Sequence, residues 1–174
     1  MRGFLGIVAS LLACTASTMS PAADLSEIET IVVIYAENRS FDHLYGLFPG
    51  ANGLATAKPE TWLQRDHDGQ VLPELKVWTS KGEPDPKFPV LPNAPFRIDA
   101  PPVSRSAGEV ILSPIHAYYH HIEQINGGRN DMFAAMSTVG GYVMGYFDGS
   151  QMKLWRWAKE YTLADNFFMA AFGG

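Results

Sequence analysis

Apolar positions fall into a few separate segments, each closed by turn-forming residues. The first follows Met1-Arg2 and runs from Gly3 to Ala13 without a charge. Small residues then lead to Ser20-Pro21-Ala22-Ala23. A basic end, a short apolar stretch and a small-residue exit predict a secretory signal peptide over residues 1–23, and export to a bacterial periplasm or the medium. Leu11-Leu12-Ala13-Cys14 offers an alternative, a lipoprotein box that leaves an acylated Cys14 as anchor. The apolar run is too short to span a bilayer, and no later one is longer, so no transmembrane span is expected. Next comes Ile31-Val32-Val33-Ile34-Tyr35, β-branched and without alternation. That pattern predicts a strand buried on both faces, as in a parallel sheet. It stops at Ala36-Glu37-Asn38-Arg39-Ser40, where Ser40 can cap a short helix, Phe41 to Tyr45, closed by Gly46.

Residues 57–112 change character. Nine prolines lie between Pro59 and Pro102. One hairpin is expected there, pairing Thr61–Arg65 with Gln70–Leu72 around Asp68-Gly69. The rest reads as an irregular Pro-rich excursion, of a length that usually serves a site or covers one. Ser113-Pro114 then predicts a helix start, with the helix running to about Asn126 and ending at Gly127-Gly128. Ile115, Tyr118, Ile122 and Ile125 form its expected apolar stripe. Asn130 can cap a second helix through Met136. Asp148 or Ser150 begins a third, with Leu154, Trp157, Ala158 and Tyr161 on its apolar face. Thr162 to Phe172 reads as a closing strand, pairing in parallel beside Ile31–Tyr35 and bringing Gly174 near Glu37. Strand, helices and strand predict an α/β fold, with residues 24–174 as an incomplete portion of one domain, since two strands do not finish a doubly wound sheet.

Composition narrows the function classes. The 174 residues are 47% apolar and 18% charged, enough for a packed core. Thirteen basic against eighteen acidic residues give a net charge of −5, which argues against nucleic acid as a partner. A single cysteine, Cys14, excludes an internal disulfide and a Cys-based zinc site. Oligomeric state is not legible.

Three groups could carry chemistry. Glu37-Asn38 follows the predicted strand, where open α/β sheets place their ligands. A carboxylate beside a carboxamide offers two oxygens to a hard cation, and it equally suits a helix-entry turn. His116, His120 and His121 come close together before Glu123. His116 and His120 are spaced for one helical face, but position 117 is Ala, not the Glu of a metalloprotease helix. A single histidine touching a phosphate fits better than a zinc pair. Asp165-Asn166 and the terminal Gly173-Gly174 make a weaker third group. His43 and His67 carry no signal of their own.

The run from Ile31 to His43, containing Glu37-Asn38-Arg39-Ser40-Phe41-Asp42-His43, resembles the opening motif of the bacterial phosphoesterase family. That family joins phosphocholine-hydrolysing phospholipases C with acid phosphatases of an alkaline-phosphatase-like fold. His116 to Ala135, Tyr142 to Phe147 and Leu163 to Gly174 are similar to later family motifs, in the same order. The last leans toward the acid-phosphatase branch. The resemblance implies an α/β sheet flanked by helices and an exported, metal-dependent hydrolase of small phosphoesters or phospholipids. It implies Glu37 and Asn38 as ligands of a divalent cation and His116 as a phosphate contact, with His120 or His121 as alternative matches. The family's nucleophile follows the Gly-Gly pair, so here it is expected just after Gly174, and the family's downstream acidic metal ligands are absent from the sequence. The expectation is therefore an N-terminal piece, inactive alone: an acid-phosphatase-like enzyme, a phospholipase C, or a non-catalytic secreted remnant.

Overall fold

A computed structural model of the chain describes residues 24–35 and 39–168. Residues 1–23, where a signal peptide and Cys14 were expected, together with Glu37, Asn38 and the Gly173-Gly174 end, lie outside them. The chain divides into two units, residues 1–36 and 37–174.

In the first unit, Asp24 caps a 3-10 turn, Leu25–Glu27, its carboxylate accepting from the Ser26 amide at 2.9 Å. Residues 31–35 form no strand, contrary to the sequence pattern, and stand between 67% and 85% exposed. The physical reason is that β propensity measures fit to a paired, half-buried surface. Among the described residues no second strand pairs with this one.

Among the described residues the second unit holds four short helices, α1 (Phe41–Tyr45), α2 (Pro59–Trp62), α3 (Tyr118–Ile125) and α4 (Lys153–Glu160). It also holds four two-residue strands, β1 (Leu75–Lys76), β2 (Val90–Leu91), β3 (Phe96–Arg97) and β4 (Gly145–Tyr146). The fold is mixed α and β. β1 and β2 are antiparallel, with Leu75 opposite Leu91. β3 and β4 are parallel, with Phe96 opposite Gly145, and the Ile98 amide extends the ladder to the Tyr146 carbonyl at 2.8 Å. Residues 163–168 are not a strand, contrary to the sequence pattern, and Phe167 and Phe168 are exposed; the rest of the expected closing strand lies outside the described residues.

The Pro-rich stretch supplies most of the main core. Leu75, Val77, Phe88, Leu91, Ile98 and Val103 pack with Ala134 and Phe147. Proline disrupts ladders but not burial: the β1–β2 pair continues as a Val77 amide bond to the Pro89 carbonyl at 2.9 Å. The expected hairpin is present as a tip only. Arg65 and Val71 bridge around Gly69, whose φ of 79° suits glycine, while Thr61 belongs to α2. Buried Gln64 ties this region together. Its side-chain amide donates to the Trp62 and Asn130 carbonyls at 3.2 and 3.4 Å, and its oxygen accepts from the Ala134 amide at 3.1 Å. Gly140 and Gly141 let two segments touch. A Cβ on Gly140 would strike the Lys76 carbonyl, and one on Gly141 would strike the Leu75 side chain.

The helices depart from their predicted limits and faces. α3 begins after Ala117, and Ser113-Pro114 stays outside it. Tyr118 and Ile122 are exposed, and the buried residue of α3 is Gln124. Residues after Asn130 make one turn, closed from the Met136 amide to the Met132 carbonyl at 3.0 Å, and no helix. Before α4, Asp148 caps a 3-10 turn through the Ser150 amide at 3.0 Å. α4 then buries Trp155 at 4% exposure, leaving Leu154, Trp157 and Tyr161 outward. Trp155 stacks on Tyr45 at 6.0 Å, meets Phe48 at 5.0 Å, and donates to the Leu44 carbonyl at 2.9 Å. This second cluster fixes α1. Among the described residues, no helix is long and apolar enough to cross a membrane.

Candidate functional site

Four stretches border a cavity of about 550 Å³ within the second unit. Arg39, Ser40 and His43 come from the entry and first turn of α1. Residues 107–116 form an irregular rim. α3 contributes His121 and Gln124, and Phe133, Val139, Tyr142 and Val143 add an apolar wall.

Each imidazole is positioned by local structure. His116 lies just before α3, because Ala117 is extended at φ −146° and serves as the N-cap. The preceding residue is held by its amide, which donates to the Thr138 hydroxyl at 3.1 Å. Ser113 Oγ stands 3.3 Å from His116 Nε2, which is what the serine does in place of capping a helix. His121 meets His116 edge-on, with centroids 6.2 Å apart. His120 does not line the cavity. His43 leans on the Phe147 ring at 5.7 Å, and its carbonyl accepts from the Phe147 amide at 2.9 Å.

Arg39 and Glu109 also line the cavity, and Glu109 accepts from the Ser106 amide at 2.9 Å. Burial, reinforced by the Arg39 charge, lowers the His43 pKa, so the ring favours its neutral form. Burial raises the Tyr142 phenol. Imidazole and guanidinium N–H groups with serine hydroxyls around one space can bind an oxyanion that has several acceptor oxygens.

The sequence candidates divide. His116 and its alternative His121 are both brought to the cavity. Glu37 and Asn38 lie outside the described residues, although Arg39, next in sequence, is on the cavity wall. Among the described residues, no group of three or more His, Cys, Asp or Glu could hold a metal ion. Sequence reasoning missed Arg39 and His43. Their spacing of four residues at a helix entry was the available signal.

The comparisons identify the family. The model described as "Phosphoesterase family" matches residues 28–174, and the chain belongs to that family. It is similar to Phospholipase C A of Mycobacterium tuberculosis, 30% identical over 150 residues, covering 82% of this chain and 25% of that protein. It is also similar to Phospholipase C B of the same species, 28% identical over 159 residues, covering 86% and 28%. Non-hemolytic phospholipase C of Pseudomonas aeruginosa is 29% identical over 94 residues, covering 41% and 14%. The chain thus spans about a quarter of the length of the mycobacterial relatives. No solved structure matches.

Proposed function

We propose that this chain forms the phosphate-binding part of an exported phosphoester hydrolase of acid-phosphatase type. The observation that carries the reading is the cavity lined by Arg39, His43, His116 and His121, which joins the opening motif to the histidine motif. His116 donates to a non-bridging phosphate oxygen, Arg39 balances its charge, and the apolar wall holds bulk water away from the ester. Glu37 and Asn38 are this chain's contribution to a divalent-cation site, and such a cation supplies further neutralisation of phosphate charge. Residues 24–174 are read as the N-terminal portion of the catalytic domain, an alkaline-phosphatase-like sheet with flanking helices, following a cleaved leader over 1–23. Phospholipase C is the second reading. It is favoured by the names of the relatives, and it makes a phospholipid the substrate.

Calorimetric titration of the full chain with inorganic phosphate, with and without added Mg²⁺, Mn²⁺ or Ca²⁺, tests the reading. His116→Ala weakens phosphate binding about tenfold, the loss of one charge-assisted hydrogen bond. Glu37→Ala removes only the part that depends on the cation. No phosphate binding under any condition refutes the proposal. Competition by phosphocholine well beyond that by simple phosphomonoesters favours the phospholipase reading.

A further inference from the structure

His43 stands on a wall between two cavities. Ser40, His43, Phe133 and Val143 line both the larger space and a second one of about 240 Å³. The second is also bounded by Asp42, Trp62 and Tyr146. The imidazole is half-buried and backed by Phe147. Among the described residues, no hydrogen bond to either ring nitrogen is formed. Among the described residues, every fully buried side-chain nitrogen or oxygen has a partner, so the His43 nitrogens, which have none, are not sealed from solvent. Polar groups taken partly out of water are ordinarily matched by a hydrogen-bonding partner. At His43 water fills that role, and a ligand in either cavity that His43 lines can take its place.

We propose that His43 is a substrate-contacting residue, a third imidazole that hydrogen-bonds the phosphoryl group held by His116. This rests on the phosphate-binding reading above. A neutral ring offers one N–H donor and one acceptor nitrogen. The donor serves a phosphoryl oxygen. The position on the shared wall also makes His43 the boundary between the phosphate and whatever part of the ester extends toward Trp62 and Tyr146.

The probe is inorganic phosphate, titrated into the full chain labelled with ¹⁵N and ¹³C. Histidine ring signals are assigned through their bonds to the backbone, so the readout does not depend on any variant folding. His43 and His116 ring signals are expected to shift together with one dissociation constant, while His67, in the hairpin tip, stays still. His43→Gln is expected to weaken phosphate binding about three- to tenfold, one hydrogen bond's worth, with an unchanged far-ultraviolet spectrum. A shift at His116 without one at His43 overturns this inference and leaves the phosphate-binding reading intact. No shift at either ring overturns both.

Discussion

Replacing Trp155 by alanine tests how α4 docks. The side chain is 4% exposed, sits between Tyr45 and Phe48, and its indole N–H holds the Leu44 carbonyl at 2.9 Å. Truncating a buried tryptophan costs about 3–5 kcal/mol. The unpaired Leu44 carbonyl adds toward the upper end of that range, though Leu44 is only half-buried and water can reach part of it. Trp157 is the control, two residues away and 55% exposed. A little under half of its surface is hidden, about 90 Å² of apolar area, or about 2 kcal/mol at most. Alanine returns roughly half a kcal/mol in helix propensity, so Trp157→Ala is expected to cost about 1–1.5 kcal/mol. Urea unfolding of both variants, followed by far-ultraviolet circular dichroism, measures the difference without depending on tryptophan fluorescence. A gap of about 2 kcal/mol or more is expected. Equal costs, or a larger cost at Trp157, would refute the docking and restore the Leu154–Trp157–Tyr161 face as the buried one. Because Trp155 clamps α1 at Leu44, and the preceding residue is His43, the Trp155 variant is also expected to broaden the His43 ring signal.

Other consequences follow from named contacts. Gln64→Leu strands the buried Ala134 amide and two carbonyls, and is expected to cost about 2–3 kcal/mol in the same unfolding experiment. Gly140→Ala meets the Lys76 carbonyl at a φ of 58°, so its thermal midpoint should fall well below that of Gly82→Ala, which has open space and only its own positive φ to contend with. Hydrogen bonds from Arg97 hold the Asp99 carboxyl below its ordinary pKa. The unfolded chain therefore binds that proton first, so the contribution is complete above pH of about 4 and lost as pH falls toward the folded value. Thermal midpoints measured from pH 6 down to 2.5 should decline less steeply in Asp99→Asn. For His43 the folded pKa is lowered, so stability declines as pH drops below about 6.5, and His43→Gln should flatten that limb.

The motif from Glu37 to His43 and the histidine segment were legible because they are contiguous strings whose residue types carry chemistry. They led to the family that the comparison identifies. Element positions were less legible, and the reasons are specific. Ser113-Pro114 has the composition of a helix start, but the Ile115 amide is taken by Thr138 and the Ser113 hydroxyl by His116. Those partners lie outside any local window. Periodicity along α4 counted Leu154, Trp157 and Tyr161 as a face and could not register that Leu44, 111 residues away from Trp155, offers an acceptor. The apolar run 31–35 shows the same limit from the other side. Its residue types specify a strand, yet a strand exists only with a neighbour to bond.

The Pro-rich stretch carries the more general lesson for the site. Its prolines argued for an irregular cover, and its ladders are indeed only two residues long. Yet its Leu75, Val77, Phe88, Leu91 and Ile98 are the centre of the core, and Val77 bridges to Gly140 while Phe96 and Arg97 pair with β4. Those pairings set where residues 139–147 lie. From that segment Val139, Tyr142 and Val143 reach the cavity wall, and Phe147 supports His43. The rim at 107–116 is the continuation of the same stretch. The excursion is thus both the scaffold and one side of the cavity. Substitutions in its core positions should therefore lower stability and phosphate affinity together. Substitutions at His43 or His116, whose rings border open space, should lower affinity while leaving most of the stability at neutral pH in place.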